Sequence, residues 1–269
     1  MEKFKSIFKV DKPIIGMIHL KALPGTPKFN NNINEIIDTA LNEAELYKEA
    51  GIDALAIENM HDVPYLKNNV GPEVSSLMSI IAHEVKKVSS LPCGIQVLSS
   101  ANKAAIAIAK NAQLNFIRAE GFVFGHVADE GYIDANAGEL LRYRKEIDAE
   151  HIAVFADIKK KHSSHAITTD VSIVETAKAA EYFLSDGLIV TGFSTGKEAN
   201  IEEISDIKKA CKIPVIVGSG ITIDNISQYI SGSDAFIVGS YFKKDGFWEN
   251  ALEYDKIAAF MTKVTTLRT

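Results

Sequence analysis

A chain of 269 residues, 46% hydrophobic and 24% charged, has the balance of a globular protein that can bury a sizeable core. Its formal net charge of −6 gives no reason to expect nucleic acid or an anionic membrane as a partner, although a local basic patch could still hold a phosphate. Cys93 and Cys211 lack a metal-ligand or redox spacing, so they read as buried free thiols in a reducing compartment.

The first residues, MEKFKSIFKVDKP, lack the apolar stretch of a signal peptide. No run reaches membrane-spanning length, and a cytoplasmic protein without a transmembrane segment is expected. After Pro13, residues 14–18 form an apolar run that reads as a buried strand ending in His19. Pro24-Gly25 and Pro27 mark a loop. Asn34 is placed to cap a helix with Ile37, Ala40, Leu41, Ala44 and Tyr47 on its apolar face, and Gly51 ends it. A second strand over 53–57 ends at Glu58-Asn59, and Asp62 lies in the loop before a helix at 73–89.

The strand–helix unit then repeats. Strands are predicted at 94–98, 116–119, 152–156, 187–190, 215–217 and 236–238, with helices at 102–111, 138–149, 171–183 and 201–211 and a closing helix at 254–265. A further helix is expected to open at Thr222. The strands are short continuous apolar runs, as in parallel strands covered on both faces. No composition break divides residues 1–269, so one domain is expected. A (β/α)8 barrel fits better than an open doubly wound sheet, because GMIHLKALPG after the first strand is not the G-x-G-x-x-G that a dinucleotide-binding sheet carries.

In such a barrel the site lies at the C-terminal ends of the strands. Those ends supply His19, Glu58 with Asn59 and Asp62, Gln96, Arg118 with Glu120, Asp157 with Lys159 and Lys161, and Thr191 with Gly192. The seventh strand runs into Gly218-Ser219-Gly220 and the eighth into Gly239-Ser240. Two Gly-Ser turns on consecutive last strands offer backbone N–H groups to a phosphate. Asp157, Lys159 and Lys161 share strand parity, so an acid and two lysines could face one way if the strand continues. No local ligand spacing supports a metal, and none is expected; His19, Glu58 and Asp157 are the set that would hold a divalent ion. No other cofactor is required. His83 and His151 read as surface or structural residues, and His162 and His165 lie on a loop. The turn Thr191-Gly192-Phe193-Ser194-Thr195-Gly196 either adds donors to a ligand or caps a helix. The long connection 120–136 carries Phe122, Phe124 and Tyr132, and reads as a lid or as a contact between copies of the chain.

Several blocks together resemble the BtpA/SgcQ family: GMIHLKALPGTP at 16–27, DALAIENMHDVPY at 53–65, VGPE at 70–73, FADIKKKH at 155–162, LIVTGFSTG at 188–196, and VIVGSGIT with FIVGSYFKKDG in the final third. The likeness runs in order over nearly the whole chain. It implies a TIM barrel of the ribulose-phosphate-binding type. The family's name implies a role in photosystem I biogenesis, and members similar to proteins encoded beside sugar-uptake systems imply carbohydrate metabolism. The resemblance carries no catalytic residues across, so the site rests on the strand ends.

The leading expectation is an enzyme acting on a small phosphorylated metabolite, by isomerisation, aldol-type cleavage or glycosidic-bond cleavage. The phosphate is assigned to Gly218, Ser219, Gly220, Gly239 and Ser240. Asp157 and Glu58 are general acid and base, and His19 or Lys159 polarises the substrate. Thr191, Gly192, Arg118, Gln96 and Asn59 are further binding groups. The alternative is a non-enzymatic assembly or stability factor with a vestigial pocket.

Overall fold

The computed structural model describes residues 1–192 and 194–268; Phe193, named above in the Thr191–Gly196 turn, and Thr269 lie outside the described residues. In chain order the elements are α1 (Glu2–Ile7), β1 (Ile14–His19), α2 (Ile33–Glu49), β2 (Ala54–Glu58), α3 (Pro72–Ser89), β3 (Cys93–Gln96), α4 (Asn102–Asn111) and β4 (Phe116–Ala119). Then come β5 (His126–Ala128), β6 (Gly131–Ile133), α5 (Ala137–Glu146), β7 (Ala153–Ile158), β8 (Ser163–Ser164), α6 (Ile173–Tyr182) and β9 (Gly187–Val190). The chain finishes with α7 (Ile201–Ala210), β10 (Val215–Val217), α8 (Ile226–Tyr229), β11 (Ala235–Val238) and α9 (Tyr254–Leu267).

Eight of these strands close into a parallel barrel in the order β1-β11-β10-β9-β7-β4-β3-β2, with helices outside. This is the (β/α)8 architecture that the apolar runs predict. The side-chain period of two sorts each strand between two layers. Ile14, Ile18, Leu55, Ile57, Ile117, Val154 and Val190 face the helices. Ile15, Met17, Ala54, Ala56, Phe116, Phe155, Ile189, Ile216 and Ile237 fill the barrel interior.

The bottom of the interior is plugged by a helix that the hydrophobic pattern of the first residues did not announce. Phe4, Ile7 and Phe8 of the α1 segment join the interior cluster. The Phe4 ring lies 6.2 Å from Phe155, and Phe8 lies 5.7 Å from Phe116. Gly94 and Gly187 make room for these rings, since a Cβ at either position would strike Phe116 or Phe155. Those two rings sit low in the barrel, two residues below Arg118 and Asp157 on the same inward face.

Local chemistry sets the element ends, with two departures from expectation. The cap of α2 is Asn32, whose side chain accepts from the Glu35 N–H, two residues before the predicted Asn34. No helix opens at Thr222. Its N–H donates to Asn225 Oδ1 and its hydroxyl accepts from the Asn225 N–H, so the segment closes as a side-chain-bonded turn, leaving α8 only four residues long. The 120–136 connection is an antiparallel β5–β6 hairpin, and β8 pairs with β5 to make a three-stranded flap.

If α1 and the two rings form one packed plug, Phe155→Ala leaves a hole that neighbours anchored in eight strands cannot fill. Urea unfolding should show a loss of about 3–5 kcal/mol. A loss below about 1 kcal/mol would mean that the bottom layer packs loosely.

Candidate active site

The inward positions at the top of the barrel continue the interior parity with polar residues. Above Ile15 and Met17 comes His19; above Ala54 and Ala56 comes Glu58; above Gly94 comes Gln96; above Phe116 comes Arg118; above Phe155 comes Asp157. Strand register places His19 beside Glu58 and Glu58 beside Gln96. On the far side the corresponding positions are Thr191, Gly218 and Gly239. The layer is therefore charged on one half and without bulk on the other.

Electrostatics tie the charged half together. Arg118 holds Asp157 with two hydrogen bonds, Nε to Oδ2 at 2.8 Å and Nη2 to Oδ1 at 3.0 Å, and the Asp157 side chain is fully buried. Lys160 Nζ lies 3.3 Å from Glu120 Oε1, which also accepts from Gln96 Nε2. Burial opposes the ionisation of Glu120, but Lys160 and Arg118 outweigh it and hold the carboxyl below its usual range.

Two groups remain without such partners. Glu58 accepts no hydrogen bond among the described residues; the His19 imidazole Nε2 lies 3.7 Å away. Lys161 has no ion pair or side-chain hydrogen bond among the described residues. Burial pushes Glu58 up, and burial together with the Arg118 charge pulls Lys161 down, so each shift favours the neutral form. His19 is also neutral. Burial, then the Lys243 charge, lowers its pKa to about 3. The Trp248 carbonyl, 3.3 Å from Nδ1, can only accept, so Nδ1 carries the proton and Nε2 turns a lone pair toward Glu58.

One cavity of about 160 Å³ joins these groups to the Gly-Ser turns. His19, Glu58, Arg118 and Lys161 line one side, and Gly218–Thr222 with Gly239–Tyr241 line the other. Gly220 has φ +71 and packs against the Lys197 backbone, where a Cβ would lie 2.4 Å from the carbonyl carbon. Only glycine can make that turn. Among the described residues, the N–H groups of Ser219, Gly220 and Gly239 and the Ser240 hydroxyl have no hydrogen-bond partner. The Gly218 N–H is already given to Val190 O, at 2.8 Å.

The comparisons bear on a site with this geometry. Residues 10–266 match the BtpA family. The chain belongs to that family. A Caenorhabditis elegans protein named as uncharacterised and mitochondrial is 46% identical, over 95% of this chain and 94% of its own. The Synechocystis protein named photosystem I biogenesis protein BtpA is 34% identical, over 97% and 90%. Among solved structures, Mycobacterium tuberculosis tryptophan synthase superposes with TM-score 0.62 at 12% identity, over 98% of this chain and 96% of that one. Pyrococcus furiosus thiamine phosphate pyrophosphorylase gives 0.56 at 12%, over 95% and 96%. At such identities the structures show a shared fold.

The structure brings together His19, Glu58, Arg118, Gly218, Ser219, Gly220, Gly239 and Ser240 around one cavity, and leaves other predicted residues outside it. Lys159 departs most. Its φ is +47, so the strand does not continue in parity, and its ammonium is given to the Val171 carbonyl at 2.6 Å. Lys161 occupies the cavity wall instead. Asp157 is fully buried in its pair with Arg118 and lines a small separate cavity with His126 and Lys160. Asn59 is used by the fold, donating to Asp62 and accepting from the Leu98 N–H; Asp62 in turn accepts from the Leu23 N–H. Thr191 and Gly192 line a separate open cavity with Lys159 and His165, and the Gly192 N–H is spent on Ser219 Oγ. Thr195 and Gly196 of the same turn do reach the central cavity. His83 and His151 are exposed. Among the described residues no cluster of His, Cys, Asp and Glu has the arrangement to hold a metal ion.

Sequence reasoning missed Trp248 and Lys243. Lys243 is buried against Glu43 with 2% of its surface exposed, and no apolar run or spacing marks a lysine for that place.

The neutral His19 has a pH signature. A base whose folded pKa lies below its unfolded value contributes stability above the unfolded value, and loses it as pH falls toward the folded value. For His19 that window runs from about 6.5 down to about 3. His19→Gln lacks this term. The stability of the wild type relative to the variant, followed by urea unfolding, should therefore fall by about 1.4 kcal/mol per pH unit between pH 6 and 4.5. A difference flat in pH would mean that His19 titrates normally.

Proposed function

We propose that the protein is an enzyme acting on a small phosphorylated metabolite at the barrel mouth, with the phosphate on the two Gly-Ser turns. The observation that carries this reading is the single cavity lined on one side by the two Gly-Ser turns, whose Ser219, Gly220 and Gly239 N–H groups are unbonded among the described residues, and on the other by two uncommitted titratable groups, Glu58 and Lys161. The donors come from turns, and α8 is too short to add a helix dipole. Arg118 adds a permanent positive charge to the cavity wall. Several barrels with this fold are named for phosphorylated compounds, such as thiamine phosphate and orotidine 5′-phosphate, which supports the reading by analogy of fold.

On this reading Glu58 is the proton-transfer group, because it reaches the cavity and stays protonated to higher pH than an ordinary carboxyl. His19, neutral, accepts a hydrogen bond at Nε2 and orients Glu58 or a substrate hydroxyl. Asp157 is a positioning residue that fixes Arg118. The site we assign lies in the cytoplasm, where Cys93 and Cys211 remain thiols, as they are in the structure. No helix among the described residues is long and apolar enough to cross a membrane.

Inorganic phosphate is the direct probe. At about 100 times its dissociation constant it should raise the melting temperature by about 5 °C, the equivalent of about 2.7 kcal/mol for a chain of this size. Ser240→Asp puts a carboxylate against the same donors and should remove the shift. An equal shift in wild type and variant would place the anion elsewhere.

The name of the Synechocystis relative favours a second reading, an assembly or stability factor for membrane-complex proteins in which the pocket is vestigial. Glu58→Gln separates the two in cells. The factor reading expects full complementation of a deletion strain, and the enzyme reading expects the deletion phenotype.

A further inference from the structure

The charge pairing at the mouth leaves one amine over. Lys160 is committed to Glu120 and Lys159 to the Val171 carbonyl, both on the side of the flap. Lys161 alone of the three lines the central cavity, on the same side as Glu58 and Arg118. Among the described residues no carboxylate lies within ion-pair distance of it. Adjacent cations also serve an anion site, but a buried amine with no carboxylate partner and a guanidinium beside it is the setting a nucleophilic lysine needs.

We infer that Lys161 is a reacting amine that forms an imine with the carbonyl group of a phosphorylated aldehyde or ketone, with Glu58 as its proton partner. The inference rests on the phosphate reading above and narrows it to carbonyl substrates and carbon-acid chemistry; glycosidic-bond cleavage drops out. The ε-nitrogen lone pair attacks the carbonyl carbon, the C=O pair moves to oxygen, and a proton passes from nitrogen to that oxygen. The Glu58 carboxylic acid then protonates the resulting hydroxyl, which leaves as water, giving a protonated imine and a Glu58 carboxylate. The electron pair of an adjacent C–H bond flows toward the iminium nitrogen as the carboxylate takes that proton, and an enamine results. Return of a proton to the opposite face of that same carbon, relayed from the Glu58 acid through a water, restores the iminium. Hydrolysis by one water, whose proton goes back to the Glu58 carboxylate, then returns the amine and leaves an epimerisation at that carbon. An aldol-type cleavage differs in breaking a C–C bond at that step, with Glu58 accepting the proton of the β-hydroxyl.

Burial and Arg118 both lower the Lys161 pKa, so a larger share of this amine is free at neutral pH than of an exposed lysine. Each unit of lowering raises that share about tenfold.

Glyceraldehyde 3-phosphate with cyanoborohydride at pH 7 tests this on the intact protein. The reductant converts any imine to a stable secondary amine, and peptide mass spectrometry locates it. Lys161 should be labelled about ten times faster than the exposed Lys5 and Lys9, and Lys161→Met should lose the fast phase. Labelling of Lys161 no faster than Lys5 and Lys9 overturns the inference, whatever the behaviour of the variant. Inorganic phosphate separates the two claims. Fast labelling that phosphate suppresses supports both. Fast labelling indifferent to phosphate keeps the amine and removes the turns as its phosphate site. A phosphate-dependent rise in melting temperature without fast labelling keeps the turns and removes the amine.

Discussion

Arg118 is the charge around which the mouth of this barrel is arranged. It stands with Asp157, Glu58, Glu120 and Lys161 in a space largely closed to water, where charges act on each other more strongly than at a surface. Asp157 accepts from two of its nitrogens and fixes the guanidinium in place. A buried pair of this kind is weak evidence for stability, because desolvation offsets most of the attraction. Its consequence is positional. Arg118 draws Glu58 and Glu120 toward ionisation and pushes Lys161 away from it. For Glu120 that pull, joined to a Lys160 within ion-pair distance, wins against burial; for Glu58, which has no lysine that close, burial wins even though Lys161 adds to the pull.

The barrel was legible in the sequence because a strand buried on both faces cannot hide. Runs such as residues 14–18 and 187–190 have no solvent side, and the Gly-Ser turns after the last two strands fall where the topology places them. Period two also made most of the site legible, since His19, Glu58, Gln96, Arg118 and Asp157 continue the inward parity of the apolar residues below them. The failures came where parity ends. Lys159 follows Asp157 by two and should face inward, but the chain turns to a left-handed conformation there, and facing is handed on to Lys160 and Lys161. Nothing in KKKH tells a strand that continues from one that turns. Asn59, next to Glu58, faces the other way and caps loops instead. The α1 plug escaped notice for a different reason. Phe4, Ile7 and Phe8 are spaced for a helix face, but six residues are too few for periodicity to be persuasive.

On the proposed reading the two halves of the mouth solve different problems. A phosphate needs donors that are fixed and close, and a side chain at Gly218 or Gly220 would collide with Ile189 or the Lys197 backbone. Bare backbone suits that task. Proton and imine chemistry need groups whose charge can change, which backbone cannot supply. The barrel places each kind of group by strand: β10 and β11 end in glycine at the inward position, while β1, β2, β4 and β7 end there in His19, Glu58, Arg118 and Asp157. The division also makes the charged half sensitive to its ligand. A dianion seated on the turns lowers the potential across the cavity and favours protonated Lys161, while the loss of water around it strengthens the opposing push from Arg118. Which effect prevails depends on how far the phosphate sits from the amine. On the proposed reading, a substrate long enough to keep the phosphate on the turns and the carbonyl at Lys161 would leave the amine more nucleophilic than a short one that draws the dianion toward it, and chain length would then act as a specificity element without any side chain dedicated to measuring it.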